Sequence, residues 1–309
     1  MTRVIDTGQA LVDLVIEVPD LPVRGGNVMA QTETRYAGGS VNILLAAARA
    51  GVRGVLAGAH GTGPNGDLIR SALSAEDVAI SPEPVAGVDT GLCVVLVEPG
   101  GERTFITTLG AERQISIESL QTSDPQAGDL ITVTGYSLLE PTAGPLLRWL
   151  AQIADVGAQV IFDPGAVFAD LPQRVRNQML ASTAVWTSNA EEAAGATGLA
   201  DPGAAAEKLR DMLPAGGVAI VRDGERGCYL NTGAGTERIA GFPQRAVDTN
   251  GAGDAHTGAL AAELALGADW HTAAHRANVA GAIKVTRKGP ATAPTRAEVD
   301  DFLAGAAAN

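Results

Sequence analysis

From residue 129 onward, short apolar runs alternate regularly with amphipathic or alanine-rich stretches, and this rhythm constrains the fold more than any single motif. Residues 129–134, 159–162 and 184–187 read as strands, and 141–154, 171–180 and 190–197 as the helices between and after them. Repeated strand–helix–strand units imply a parallel sheet with helices on both faces, a three-layer α/β sandwich. Continuous runs such as Val160-Ile161-Phe162 and Val218-Ala219-Ile220-Val221 suit strands buried on both sides. Past Ala252 the chain reads as helical, with breaks at Gly267-Ala268 and Gly289-Pro290.

The first hundred residues behave differently. Val4-Ile5 open a strand, 11–18 and 28–36 read as extended, and 40–50 is an alanine-dense helix that Ser40 caps and Gly51 ends. A strand at 54–59 and a helix at 64–73 follow. Residues 91–97 and 103–108, joined by Pro99-Gly100-Gly101, form a hairpin. Two excursions, 11–36 and 91–108, thus supply extended chain with few helix signals. They predict a small β lid on an α/β core made of 1–10, 37–90 and 109–309.

With 309 residues the chain is long enough for one large α/β domain with such an appendage. Its formal net charge of -13 and its one basic pair, Arg287-Lys288, argue against a nucleic-acid partner, which needs clustered Lys and Arg. Aromatic residues are 4%, too few for base-stacking platforms. No apolar run has the roughly 18 residues a membrane span requires. The start of the chain lacks the order of a secretory signal, and the two cysteines, Cys93 and Cys228, provide no disulfide framework. A reducing cytoplasm is the expected compartment.

The chemistry concentrates in Asp248-Thr249-Asn250-Gly251-Ala252-Gly253-Asp254, which follows an extended stretch (242–247) and opens a helix. Gly251 and Gly253 let bare backbone N–H groups approach a ligand, and the helix N-terminus adds a partial positive charge. Gly251, Ala252 and Gly253 therefore predict an anion hole for a phosphoryl group. Asp254, in the first turn, is placed to accept a proton from an attacking alcohol. A plainer reading makes Asp248 a turn cap and Asp254 a complement to the helix dipole.

This string resembles the Asp-Thr-x-Gly-Ala-Gly-Asp signature of the ribokinase-like sugar kinases, the PfkB carbohydrate kinase family. Gly38-Gly39-Ser40-Val41-Asn42 through Ala50-Gly51 resembles that family's N-terminal signature. The resemblance implies ATP-dependent phosphorylation of a primary sugar hydroxyl, with Mg²⁺ and the sugar bound by Asp13, Gly38, Gly39, Asn42, Glu140 and Asp254. Asn189-Ala190-Glu191-Glu192 is similar to the family's Asn-x-x-Glu, which implies that Asn189 and Glu192 position phosphate and metal; an N-cap with first-turn acids explains the same residues. Arg222 through Gly227 resembles the nucleotide-bordering turn, implying contacts from Arg222, Gly224 and Gly227, although Arg222 replaces the usual Thr. The resemblance also places Asn278 near adenine, and it implies a monovalent-cation (K⁺) site at Asp248, Asn250 and the Lys288-Gly289 loop. Lids in this family often pair into homodimers.

Other readings stand beside this one. Related pockets accept ribose bearing a base, so a nucleoside kinase is the nearest alternative. Gly61-Thr62-Gly63-Pro64-Asn65-Gly66 formally matches a dinucleotide fingerprint, with Glu83 at ribose-binding distance, and would suit an NAD-dependent oxidoreductase. Pro64 fills that loop and the loop does not follow the first strand, which counts against it. A sugar-binding module without catalysis completes the set. His60, His256, His271 and His275 lack compact metal spacing.

Overall fold

Apolar side chains alternate between two cores along each central strand, and this alternation sets the layers. Ile5, Ile131, Val133, Val160, Phe162, Trp186, Ala219 and Val221 face one cluster. Val4, Leu130, Ile161 and Val185 face a second, and Val218 and Ile220 a third on that same opposite side. Only a sheet covered on both faces buries both sets.

The structure is a computed structural model describing residues 2–307. Strand β1 (Val4–Asp6) is followed by β2 (Ala10–Glu17) and β3 (Thr32–Gly39), which runs straight into α1 (Ser40–Arg49). Then come β4 (Gly54–Leu56), α2 (Pro64–Ser74), β5 (Ala79–Ile80), β6 (Leu92–Val97) and β7 (Arg103–Thr107). The regular half holds α3 (Ile117–Gln121), β8 (Leu130–Thr134), α4 (Ala143–Gln152), β9 (Gln159–Asp163), α5 (Gln173–Ser182), β10 (Val185–Asn189) and α6 (Ala190–Thr197). It continues with α7 (Pro202–Met212), β11 (Val218–Arg222), β12 (Gly227–Asn231) and β13 (Thr236–Ala240). Helices α8 (Ala252–Ala265), α9 (Trp270–Lys284) and α10 (Arg296–Ala307) close the chain.

Nine strands form the large sheet in the order β13-β12-β11-β10-β9-β8-β1-β4-β5. It is parallel from β11 to β5, and β12 and β13 add antiparallel to one edge. A second sheet, β3-β2-β6-β7, holds the extended segments of the first hundred residues. In it β2 pairs antiparallel with β3 and parallel with β6, and β6 and β7 form the expected hairpin. Several elements depart from the sequence reading. Helix α7 was unread despite Asp201 capping its amide at Ala204 (2.7 Å) and Pro202 in its first turn. The β12–β13 edge was read only as a turn, and 242–247 forms no strand. The helix expected from 141 starts at Ala143, because a 3-10 turn (135–138) intervenes. No helix among the described residues is long and apolar enough to cross a membrane.

Parallel strands place their C-terminal ends along one rim, where ligands of such sheets bind. Asp6, Asp163, Asn189 and Arg222 each end a strand on that rim. The α8 start and the small sheet meet it.

Candidate active site

Asp254 lies in the first turn of α8, and Gly251 before it adopts φ 77°, a left-handed conformation. A Cβ at Gly251 would also stand 2.4 Å from the Pro290 carbonyl oxygen, so only glycine fits. No side chain caps the helix. The Ala252 amide donates to Thr249 O at 3.2 Å, while the amides of Gly253 and Asp254 meet no acceptor among the described residues. Open amides at a helix start are what an anion hole needs.

On the other side of Asp254, the Asn42 amide donates to its Oδ2 at 2.9 Å. Asn42 comes from the first turn of α1, directly after Gly38 and Gly39. A Cβ at Gly38 would fall 2.3 Å from Asp13 Oδ2, so Asp13 rests flat on the bare backbone of the neighbouring strand. Asp13 and Asp254 also repel each other. Burial, then the Asp254 charge, pushes the Asp13 carboxyl up to about 7. Burial likewise raises Asp254 to about 6, with Asn42 pulling down, Asp163 pushing up, and Arg222 and Lys284 pulling down. A base whose pKa sits near 6 is ionised at neutral pH yet still basic enough to take a proton.

A second group flanks the same helix start. Arg222 Nη2 sits 3.1 Å from Asp163 Oδ2 and 3.8 Å from Glu192 Oε2, and its Nη1 donates to Thr187 at 2.8 Å. A Cβ at Gly253 would lie 3.3 Å from that Nη2, which puts the guanidinium against the backbone of the open helix start. Burial opposes the Arg222 charge, but Asp163 and Glu192 more than restore it. Glu192 is raised by burial and then by Asp163, against the pull of Arg222. Asn189 caps α6 by accepting from the Glu192 amide at 2.8 Å, and the Glu192 carboxylate accepts from the Asn189 amide at 2.8 Å. The plain capping box is therefore present, and it also aims Glu192 at the rim.

The third group joins the small sheet to the 248–250 loop. Arg103, at the start of β7, donates to Thr249 Oγ1 at 2.5 Å and lies 3.6 Å from Asp248 Oδ1. Lys288 pairs with Glu17 of β2, and a Cβ at Gly289 would meet the Tyr36 ring at 2.9 Å. Asp248 Oδ1 accepts from the Asn250 amide, Oδ2 from the Gly289 amide (2.9 Å each), and its carbonyl from Lys284 Nζ (2.8 Å). All three Asp248 oxygens thus already meet donors, with an ammonium and a guanidinium close by. A further monovalent cation there would face both of these positive charges. The expected metal residues also separate, Glu192 with Asp163 and Arg222, and Asp248 and Asn250 with the lid contacts. A hard divalent ion suits the first group, since Mg²⁺ keeps several waters and takes one or two carboxylates plus phosphate oxygens. No cluster of three or more His, Cys, Asp or Glu able to hold a metal occurs among the described residues.

Two expected residues stand elsewhere. Glu140 is exposed and lines a groove between α4 and α5 with Arg148 and Arg174. The 3-10 turn carries it past the strand end, and its carbonyl accepts from Arg113 at 2.5 Å. Asn278 is buried, donating to the carbonyls of Ile239 (3.3 Å) and Ala240 (3.1 Å) and meeting His256 Nε2 at 3.2 Å. With its amide engaged inside the protein, it pegs α9 to β13. Gly224 and Gly227 border a 3-10 turn (224–226) between β11 and β12. Asp163 was missed, although an acid ending a parallel strand signals a ligand rim. Arg222 was foreseen only as a nucleotide contact. The 61–66 loop is plugged: the Asn65 and Gly66 amides donate to Asp89 at 3.1 and 3.0 Å, which closes the place a dinucleotide phosphate would need.

Residues 1–296 match the family model described as pfkB family carbohydrate kinase. The chain belongs to that family. This kinase is 30% identical over 295 residues to the uncharacterized sugar kinase YegV of Escherichia coli, covering 94% of this chain and 91% of that one. Among solved structures, the ribokinase of Giardia lamblia superposes with TM-score 0.86 at 23% identity, over 98% and 99% of the two chains. A fructokinase of Vibrio cholerae, solved with fructose, ADP and calcium ion, superposes with TM-score 0.80 at 27% identity, over 98% and 99%. Like its relatives, the kinase is an ATP-dependent phosphotransferase with a ribokinase fold.

Proposed function

We propose that this kinase transfers the γ-phosphoryl of ATP to a primary hydroxyl of an uncharged sugar or sugar-like polyol, with Asp254 as the base. The observation that carries the reading is the position of Asp254, between the open amides of the α8 start and the Asn42–Asp13–Gly38 pocket. Asn and Asp side chains with bare glycine backbone suit hydroxyl recognition, because they offer both donors and acceptors at close range. Two acids make the pocket hostile to a phosphorylated sugar. Arg103, a basic side chain facing the loop from the lid, is engaged by Thr249 and Asp248.

Asp254 takes the hydroxyl proton as the oxygen attacks, and the amides of Gly253 and Asp254 hold the oxygens of the moving phosphoryl. Arg222, behind Gly253, adds a fixed positive charge. In phosphoryl transfer such positioning and charge neutralisation dominate, while a general base contributes about 10²–10⁴-fold. Asp163 and Glu192 would hold an Mg²⁺ arriving with ATP, and the ion would supply further neutralisation. The small sheet acts as a lid that excludes water, which competes with the sugar as acceptor. Its outer strand exposes Phe105 and Ile106, which a second copy of the lid covers in a homodimer.

Counting ADP released from Mg²⁺-ATP across neutral sugars, sugar phosphates and nucleosides tests the reading. Turnover confined to neutral sugars or polyols supports it. Turnover confined to nucleosides supports the nucleoside-kinase alternative, and turnover only with sugar phosphates overturns the uncharged-substrate assignment.

A further inference from the structure

Among the largest fully buried side chains of the described residues, Lys284 is the one that carries a formal charge. It is the last residue of α9, and its stem is closed off from solvent at 0% exposure. An ammonium in such a place is costly unless oxygens and negative charge surround it. Its one hydrogen-bond acceptor among the described residues is the Asp248 carbonyl oxygen, 2.8 Å away. Burial lowers its proton affinity, and the Asp248 and Asp254 charges act against that loss. The same loop is pinned to the end of α9 by Val285, whose carbonyl accepts from the amides of Val247 (2.7 Å) and Asp248 (3.1 Å). The negative end of the α9 dipole is thus also at hand.

We propose that the Lys284 ammonium is a built-in monovalent cation: it holds the 248–251 loop in its anion-hole geometry, so the kinase needs no K⁺ there. The geometry supports this twice. Both side-chain oxygens of Asp248 already accept a hydrogen bond, from the amides of Asn250 and Gly289. Arg103 stands 3.6 Å from Oδ1, so an added ion would face two fixed positive charges. Lys284 is a positioning residue, acting through the loop carbonyl and not on substrate. The inference rests on the anion-hole reading of the 251–254 amides.

Melting temperature and ADP release are measured for wild type, Lys284→Met and Lys284→Ala in choline, potassium and ammonium chloride at matched ionic strength. Wild type is expected to melt and turn over equally in all three, within about 2-fold. Lys284→Met, which keeps the stem without the charge, loses at least about 10-fold in turnover, the scale of one removed charge-assisted contact. Lys284→Ala melts higher in potassium or ammonium than in choline and recovers part of its turnover. Saturable activation of wild type by K⁺ overturns the proposal, as does a Lys284→Met enzyme equal to wild type. A folded Lys284→Ala that no cation stabilises or rescues overturns it too; if that variant does not fold, wild type and Lys284→Met decide. Should no acceptor release ADP from wild type, the functional reading fails while the melting comparison still judges Lys284.

Discussion

Two glycine-rich loops in this kinase start helices, yet only one leaves its first amides open. At α2 the free amides of Asn65 and Gly66 are filled by the carboxylate of Asp89 from the chain itself. At α8 the amides of Gly253 and Asp254 stay open and the nearby carboxylate, Asp254, turns away to Asn42. The two acids feel opposite fields. Burial raises Asp89, but the amides of Gly66, Asn65 and Thr90 and the charge of Arg70 pull it below the usual carboxylate range. Burial raises Asp254 to about 6. An acid held low stabilises the fold at neutral pH, and that stabilisation is lost as pH falls through its folded pKa. An acid held high does the reverse, since ionising it between its unfolded value near 3.8 and about 6 costs stability. A Gly-rich helix start is thus closed or left open according to where its neighbouring carboxylate points.

The sharpest way to break the contrast is Asp254→Asn. Turnover should fall about 10²–10⁴-fold, while the melting temperature at pH 7 holds or rises because a strained carboxylate is gone. Loss of stability in step with activity would make Asp254 a structural cap like Asp89. Next, Gly251→Ala should cut turnover at least about 10-fold, since a left-handed non-glycine residue costs roughly 1–2 kcal/mol before its clash with Pro290. The mirror experiment is Asp89→Ala, which unplugs α2. It should cost about 1 kcal/mol of stability, as a lost helix cap does, with turnover unchanged within about 2-fold. The smallest effect sharpens the chemistry. In wild type kcat/KM should climb with pH through about 6 and then level off, as the proposal that ionised Asp254 is the base requires. Asn42→Ala removes the hydrogen bond that favours that form, so the acid limb should move to higher pH as KM for the sugar rises.

The open loop was legible in the sequence because its parts are consecutive: two glycines and an acid over four residues carry both geometry and charge. Its partner Asn42 was legible for the same local reason, following Gly38-Gly39 at a helix start. The electrostatic setting was not. Asp163 and Arg222 are 59 residues apart in sequence and meet only because β9, β10 and β11 lie side by side. Lys284 looks like an ordinary last-turn cation until α9 is packed against the 247–248 loop. The parallel strands were readable from their unbroken apolar runs, whereas β12 and β13 mix glycine, polar and charged residues on a sheet edge and give no such signal. The surroundings of Glu140 and Asn278 depend on a 3-10 turn and on a helix-to-strand contact that no local pattern announces.

Strand β3 passes into α1 with no linker, since Gly39 is both the last strand residue and the N-cap of the helix. The β3–α1 joint at Gly38 and Gly39 is one of the chain crossings at which rocking of the small sheet would be taken up. A ligand that bridges Asp13 and Asn42 touches both arms of that joint, so occupancy and cover become one event.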